Sequence, residues 1–118
     1  MPTDRSNSLS APPQFSISDE RRADGSVRLT IAGELDIATV PVVRDRLAAV
    51  TDAGARHVIA DLRAVTFMDS TGLAAFIHAK MRLGDERHLT LVMEPDSYAR
   101  LIFEVAGLTG VLDLVETL

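Results

Sequence analysis

The chain has no cysteine and no tryptophan, a single lysine (Lys80), and aromatic side chains at only 4% of its 118 positions. Each scarcity removes a class of function. Without cysteine there is no disulfide framework, no thiol nucleophile and no cysteine-ligated zinc, and a reducing compartment, the cytoplasm, is the expected location. Few rings and a formal net charge of -5 leave neither a stacking platform nor a basic footprint, so no direct nucleic-acid partner is expected. No apolar run approaches the roughly 18 residues of a membrane span, and the N-terminus lacks an apolar segment of signal-peptide length. A soluble, unexported protein with no membrane partner is the expectation.

Motifs of catalysis are missing too. There is no Gly-x-x-x-x-Gly-Lys-Ser/Thr and no glycine-rich dinucleotide loop, so no nucleotide cofactor is implied. His57, His78 and His88 fall at no His-x-x-His or His-Glu-x-x-His spacing and read as surface side chains, and no metal is expected. A serine-hydrolase elbow needs glycine two residues before and after the nucleophile; Gly72 follows Ser70 at that distance, but Met68 stands before it. Asp61 suggests a phosphoaccepting aspartate at the end of a strand. That chemistry requires acidic Mg²⁺ ligands and a nearby lysine, whereas Lys80 sits in the middle of a helix.

What is present suits one globular domain: 47% of the residues are hydrophobic, enough for a core of its own. Residues 1–13, rich in Ser and Pro, are expected to form a flexible N-terminal tail, with the domain over 14–118. Phe15 and Ile17, then Val27, Leu29 and Ile31, alternate with polar neighbours around Asp24-Gly25, the pattern of a β-hairpin. Gly33-Glu34-Leu35-Asp36 closes the second strand. Thr39-Val40-Pro41 starts a helix whose Val43, Leu47 and Val50 share a face, ended by Ala53-Gly54. His57 to Leu62 reads as a buried strand, and Leu73, Phe76, Ile77 and Met81 recur at helical spacing. His88 to Met93 is another strand, Pro95-Asp96-Ser97 starts a third helix, and Val111 to Val115 is a last strand. Tyr98, Leu101, Ile102, Val105 and Ala106 form that helix's apolar stripe, and the stripes of all three helices are expected to be core. The order β-β-α-β-α-β-α-β implies an α/β fold: a mixed central sheet, mainly parallel, with the N-terminal hairpin as its antiparallel part. Functional loops in such sheets lie beyond the carboxyl ends of the strands, where Leu35-Asp36 and Asp69-Ser70-Thr71 fall.

The stretch Phe67-Met68-Asp69-Ser70-Thr71-Gly72-Leu73 breaks two apolar segments with polar side chains. Asp69, Ser70 and Thr71 can each cap a helix, and Gly72 leaves its first turn bare. On residue chemistry alone this is a helix cap or a site where an added phosphate meets free amides. Ala74, Ala75 and Ala79 are small, and permit either close approach of another surface or tight packing within the domain.

Gly33-Glu34-Leu35-Asp36, Asp61-Leu62 and Val65-Thr66-Phe67-Met68-Asp69-Ser70-Thr71-Gly72-Leu73 resemble, in order and context, the anti-sigma factor antagonists of bacteria, single-domain STAS proteins. The resemblance runs from about Phe15 to Val115. It implies the STAS fold and a partner-switching regulator of transcription, in stress response or sporulation, rather than an enzyme. The unmodified antagonist would bind an anti-sigma factor that is also a GHKL-type serine kinase and so release sigma. Phosphorylation at Ser70, with Thr71 as the lesser candidate, would abolish binding, and a PP2C-type phosphatase would restore it. Asp36, Ile37, Thr39, Asp69, Thr71, Gly72 and Leu73 are the implied partner-binding residues. The alternative within the family is a scaffold subunit of a stress-signalling complex whose Ser70 is never modified. The family usually carries a further helix after the last strand, which this sequence does not continue into.

Overall fold

A computed structural model describes residues 14–117, so the expected tail over 1–13 lies outside the described residues. The hairpin forms from β1 (Ser16–Arg21) and β2 (Val27–Leu35), antiparallel, with Arg21 opposite Val27. Its turn is held by Asp24, whose Oδ1 accepts hydrogen bonds from the Ser26 amide at 2.9 Å and hydroxyl at 2.6 Å. Three further strands, β3 (His57–Met68), β4 (His88–Val92) and β5 (Asp113–Val115), join in parallel, giving the sheet order β1-β2-β3-β4-β5. The crossovers are α1 (Val40–Asp52), α2 (Ser70–Leu83) and α3 (Tyr98–Val105).

Alternate strand residues meet all three helices in one core. Leu29, Ile31, Val58, Leu62, Leu89, Leu91 and Met93 face Val43 and Leu47 of α1, Phe76 and Leu83 of α2, and Phe103 of α3, all but completely buried. The other face of the sheet holds its buried polar groups alongside the buried Ile59 and Val92. There Asp61 Oδ2 accepts from Arg28 Nη2 at 2.6 Å and Arg63 Nη2 at 2.7 Å. Thr90 donates its hydroxyl proton to Asp113 Oδ2 at 2.9 Å, so it is the His57 imidazole that donates to Thr90 Oγ1, at 2.8 Å.

Two expectations are corrected. The central strand does not end at Leu62: it pairs with β2 as far as Leu35 opposite Met68, so Asp61 lies in mid-strand rather than at its end. Alternation lapses after Leu62 because register shifts between Thr30 and Ala32 and between Gly33 and Glu34 leave Leu62, Val65 and Met68 inward, every third residue. The second correction is α3. Its buried residues are Ala99 and Phe103, while Leu101 is 50% and Val105 78% exposed and Ala106 faces solvent. Periodicity shows that a helix is amphipathic, not which side turns inward; here Phe103 reaches Phe76, ring centroids 6.4 Å apart, and rolls the predicted stripe outward. In α2 the same limit applies to Met81, which is 71% exposed.

Candidate functional site

The two stretches singled out at strand ends meet. The Asp69 amide donates to the Leu35 carbonyl at 3.1 Å, tying the turn after β3 to the loop after β2. That loop is self-contained: Asp36 Oδ1 accepts from the amides of Ala38 at 3.0 Å and Thr39 at 3.2 Å. The Thr39 hydroxyl accepts from the Asp36 amide at 3.0 Å and donates to the Glu34 carbonyl at 2.7 Å. Asp36 and Thr39 are therefore half-buried parts of a turn. Ile37 at its tip is 78% exposed. Gly33 has a physical requirement of its own: its φ is +95°, and a Cβ there would stand 2.7 Å from the backbone of Phe15.

Of the three possible caps for α2, the structure uses Asp69. Its backbone is extended, and Oδ1 accepts from the Thr71 amide at 2.9 Å, the Gly72 amide at 3.4 Å and the Thr71 hydroxyl at 2.5 Å. The Thr71 hydroxyl bond first, and then those amides against a counteracting desolvation, hold the Asp69 carboxyl below its ordinary pKa. Gly72 is buried because the helix start lies directly on β3, where a Cβ would meet Met68 Cγ at 2.8 Å. Leu73 packs against the core. Ser70 is what remains: exposed, on the first turn, its hydroxyl bonded to none of the described residues.

The structure thus brings Asp36, Ile37, Thr39, Asp69, Ser70, Thr71, Gly72 and Leu73 to one end of the sheet, but gives exposed side chains at only Ile37 and Ser70. It adds two residues that sequence reasoning missed. The rings of Phe67 and Tyr98 stack with centroids 5.4 Å apart at an interplanar angle of 17°, yet are 37% and 43% exposed. Phe67 was legible only as part of the motif, and nothing in the sequence pairs it with Tyr98.

Among the described residues there is no group of three His, Asp or Glu side chains arranged to hold a metal. A cavity of about 460 Å³ opens between α1 and α2, lined by Arg44, Leu47, Ala48, Ala75, Ala79 and Arg82 among others, and does not reach Ser70. It answers part of the question of the small residues: Ala75 and Ala79 are buried on the α1 side, whereas Ala74 is exposed. What the arrangement can do chemically is present one free hydroxyl at a helix start, directly after a capping carboxylate.

Fold and site together define a small α/β module, helices on one face of a mixed sheet, that displays a serine where β3 gives way to α2. A family model described as "Mlab, STAS domain" matches residues 18–116, and the chain belongs to the STAS-domain family. It is similar to the anti-sigma-B factor antagonist of Bacillus subtilis (strain 168), with 33% identity over 97 residues, 81% of this chain and 87% of that protein. A crystal structure of an anti-sigma factor antagonist from Mycobacterium paratuberculosis superposes with a TM-score of 0.82 at 29% identity, covering 93% of this chain and 92% of that one. The Bacillus cell fate determinant SpoIIAA, in its phosphorylated form, shares the fold with a TM-score of 0.63 at 20% identity, over 85% of this chain and 91% of its own. Among the described residues no helix is long and apolar enough to cross a membrane.

Proposed function

We propose that this chain is an anti-sigma factor antagonist of the cytoplasm that changes partner through Ser70. Unmodified, it docks on an anti-sigma factor with GHKL-type serine kinase activity and frees sigma; phosphorylated at Ser70 it lets go, and a PP2C-type phosphatase resets it. The chain is then a substrate and not an enzyme. The observation that carries this reading is the state of Ser70, exposed and without a partner among the described residues while its neighbours Asp69 and Thr71 are bonded to each other. The names of the relatives and the phosphorylated state of the SpoIIAA structure support it.

The physics of such a switch is simple. A phosphate adds roughly -1.5 to -2 charges at pH 7 next to an ionised Asp69, and the free amides of a helix N-terminus offset on the order of 0.3–2 kcal/mol of that, so the fold tolerates it. A protein contact shaped over a neutral hydroxyl does not. Burying an unpaired dianion costs on the order of several kcal/mol, about a hundredfold or more in affinity. Of the proposed partner-binding residues, Ile37 is the exposed one and would touch the partner directly, as would the phosphorylation site Ser70. Asp36, Thr39, Asp69, Thr71, Gly72 and Leu73 would hold the backbone that presents them.

Incubating the chain with a kinase-type anti-sigma factor and ATP, followed by intact-mass measurement, tests this. The expected result is one added phosphate, absent from Ser70→Ala, with Ser70→Ala binding the kinase at least a hundredfold more tightly than Ser70→Asp. Equal affinities of the two variants would sink the switch, and binding without any modification would favour the scaffold reading.

A further inference from the structure

The surface around Ser70 continues beyond the motif. Ile37 is exposed in the neighbouring loop after β2, and Phe67, three residues before Ser70 in the chain, carries the ring of Tyr98. Tyr98 opens α3, and Leu101 and Val105 follow it along the outward side of that helix at helical spacing. An exposed, near-parallel ring stack adjoining further bare aliphatic groups is unusual on a solvated surface and typical of the centre of a protein interface.

The loops that border this surface are acidic. The loops at the carboxyl ends of β2, β3 and β4 contain Asp36, Asp69, Glu94 and Asp96 and no Lys, Arg or His, and Glu34, exposed, stands just before the first. Arg63 on the adjoining strand is paired with Asp61 and is also near enough to Glu94 for the two charges to interact. Arg100 on α3 is engaged by Glu104 at 3.3 Å. On the helix side, Arg44 lines a small cavity with Thr71 and His78.

We infer that the anti-sigma docking face extends from Ser70 across Phe67 and Tyr98 onto the outward side of α3, and that it takes a partner surface with an apolar centre bordered by Lys or Arg side chains. This rests on the proposed function. Carboxylates at the edge steer a basic-bordered partner into place, while the neutral centre carries the contact energy.

The test is a titration of the unmodified full-length chain against the kinase that labels Ser70, at two ionic strengths. Tyr98→Ala and Phe67→Ala are each expected to weaken binding at least tenfold. Met81→Ser, an exposed apolar residue at the far end of α2, is expected to leave it unchanged. Glu94→Lys with Asp96→Lys is expected to slow association and remove most of its dependence on salt. Thermal unfolding of each variant shows that it is folded, and Leu101→Ser, which leaves the ring stack in place, reports on the same face should Phe67→Ala unfold. If the ring variants and Leu101→Ser bind like wild type while Ser70→Asp does not, this inference fails and the switch stands; an equal loss in Met81→Ser also overturns it. If no kinase labels Ser70 or binds the unmodified chain, the proposed function fails and takes this inference with it.

Discussion

Thr71 gives its hydroxyl proton to Asp69 Oδ1, and Ser70 is the hydroxyl left without a partner among the described residues. A sequence with three adjacent capping residues does not say which will cap; the extended backbone at Asp69 and the 2.5 Å bond from Thr71 decide it. Asp69→Ala removes the acceptor for two amides and a hydroxyl and is expected to destabilise the fold by about 0.5–2 kcal/mol, measured by urea denaturation. Because it also frees the Thr71 hydroxyl, it is expected to let a kinase that modifies Ser70 reach Thr71 as well, read as a second phosphate by intact mass. The depressed pKa of Asp69 carries a sign: the cap's full contribution is present above the ordinary carboxylate range and is lost as pH falls through the lower folded value.

At the scale of elements, α3 shows what a hydrophobic pattern can and cannot say. All its residues from Tyr98 to Val105 except Arg100 and Glu104 are apolar or aromatic, so the apolar side is wide and leaves open which part of it turns inward. The phase was set by Phe103 packing on Phe76, with Ala99 fully buried on the same side. Phe103→Ala is accordingly expected to cost about 3–5 kcal/mol, while Val105→Ser is expected to fall within about 0.5 kcal/mol of wild type by the same denaturation measurement. Had α3 been packed by its predicted stripe, the second substitution would cost several times more. The length of β3 was illegible for a related reason. Alternation marks a strand only while its register is regular, and the shifts opposite Thr30–Ala32 and Gly33–Glu34 interrupt it just where the chain approaches the site.

Over the whole molecule, the sheet has one face for stability through burial and one held by charge. Burial tends to raise the Asp61 pKa, but hydrogen bonds from Arg63 and Arg28 outweigh it and bring it from 3.8 to about 2. The stability this gives is fully present above the unfolded value and is lost as pH falls from about 4 through about 2. Asp61→Asn is expected to destabilise the protein near neutral pH by on the order of 1–3 kcal/mol and to flatten the dependence of unfolding free energy on pH across that window, measured by denaturation at a series of pH values. A loss of equal slope in wild type and variant would assign the acid sensitivity to other carboxylates.

Element order, the hairpin turn at Asp24-Gly25 and the Asp-Ser-Thr-Gly turn were determined by the sequence itself, because each depends on residues close along the chain, and the mixed sheet followed from that order. Tertiary structure alone decided which of Asp69, Ser70 and Thr71 is the cap and which the free hydroxyl, how far β3 runs, and which side of α3 meets solvent. These depend on contacts between segments distant in sequence: Leu35 with Asp69, Phe76 with Phe103, Phe67 with Tyr98. A local pattern specifies that an apolar face exists, while the partner that covers it, or leaves it bare, comes only with the packing of the whole chain.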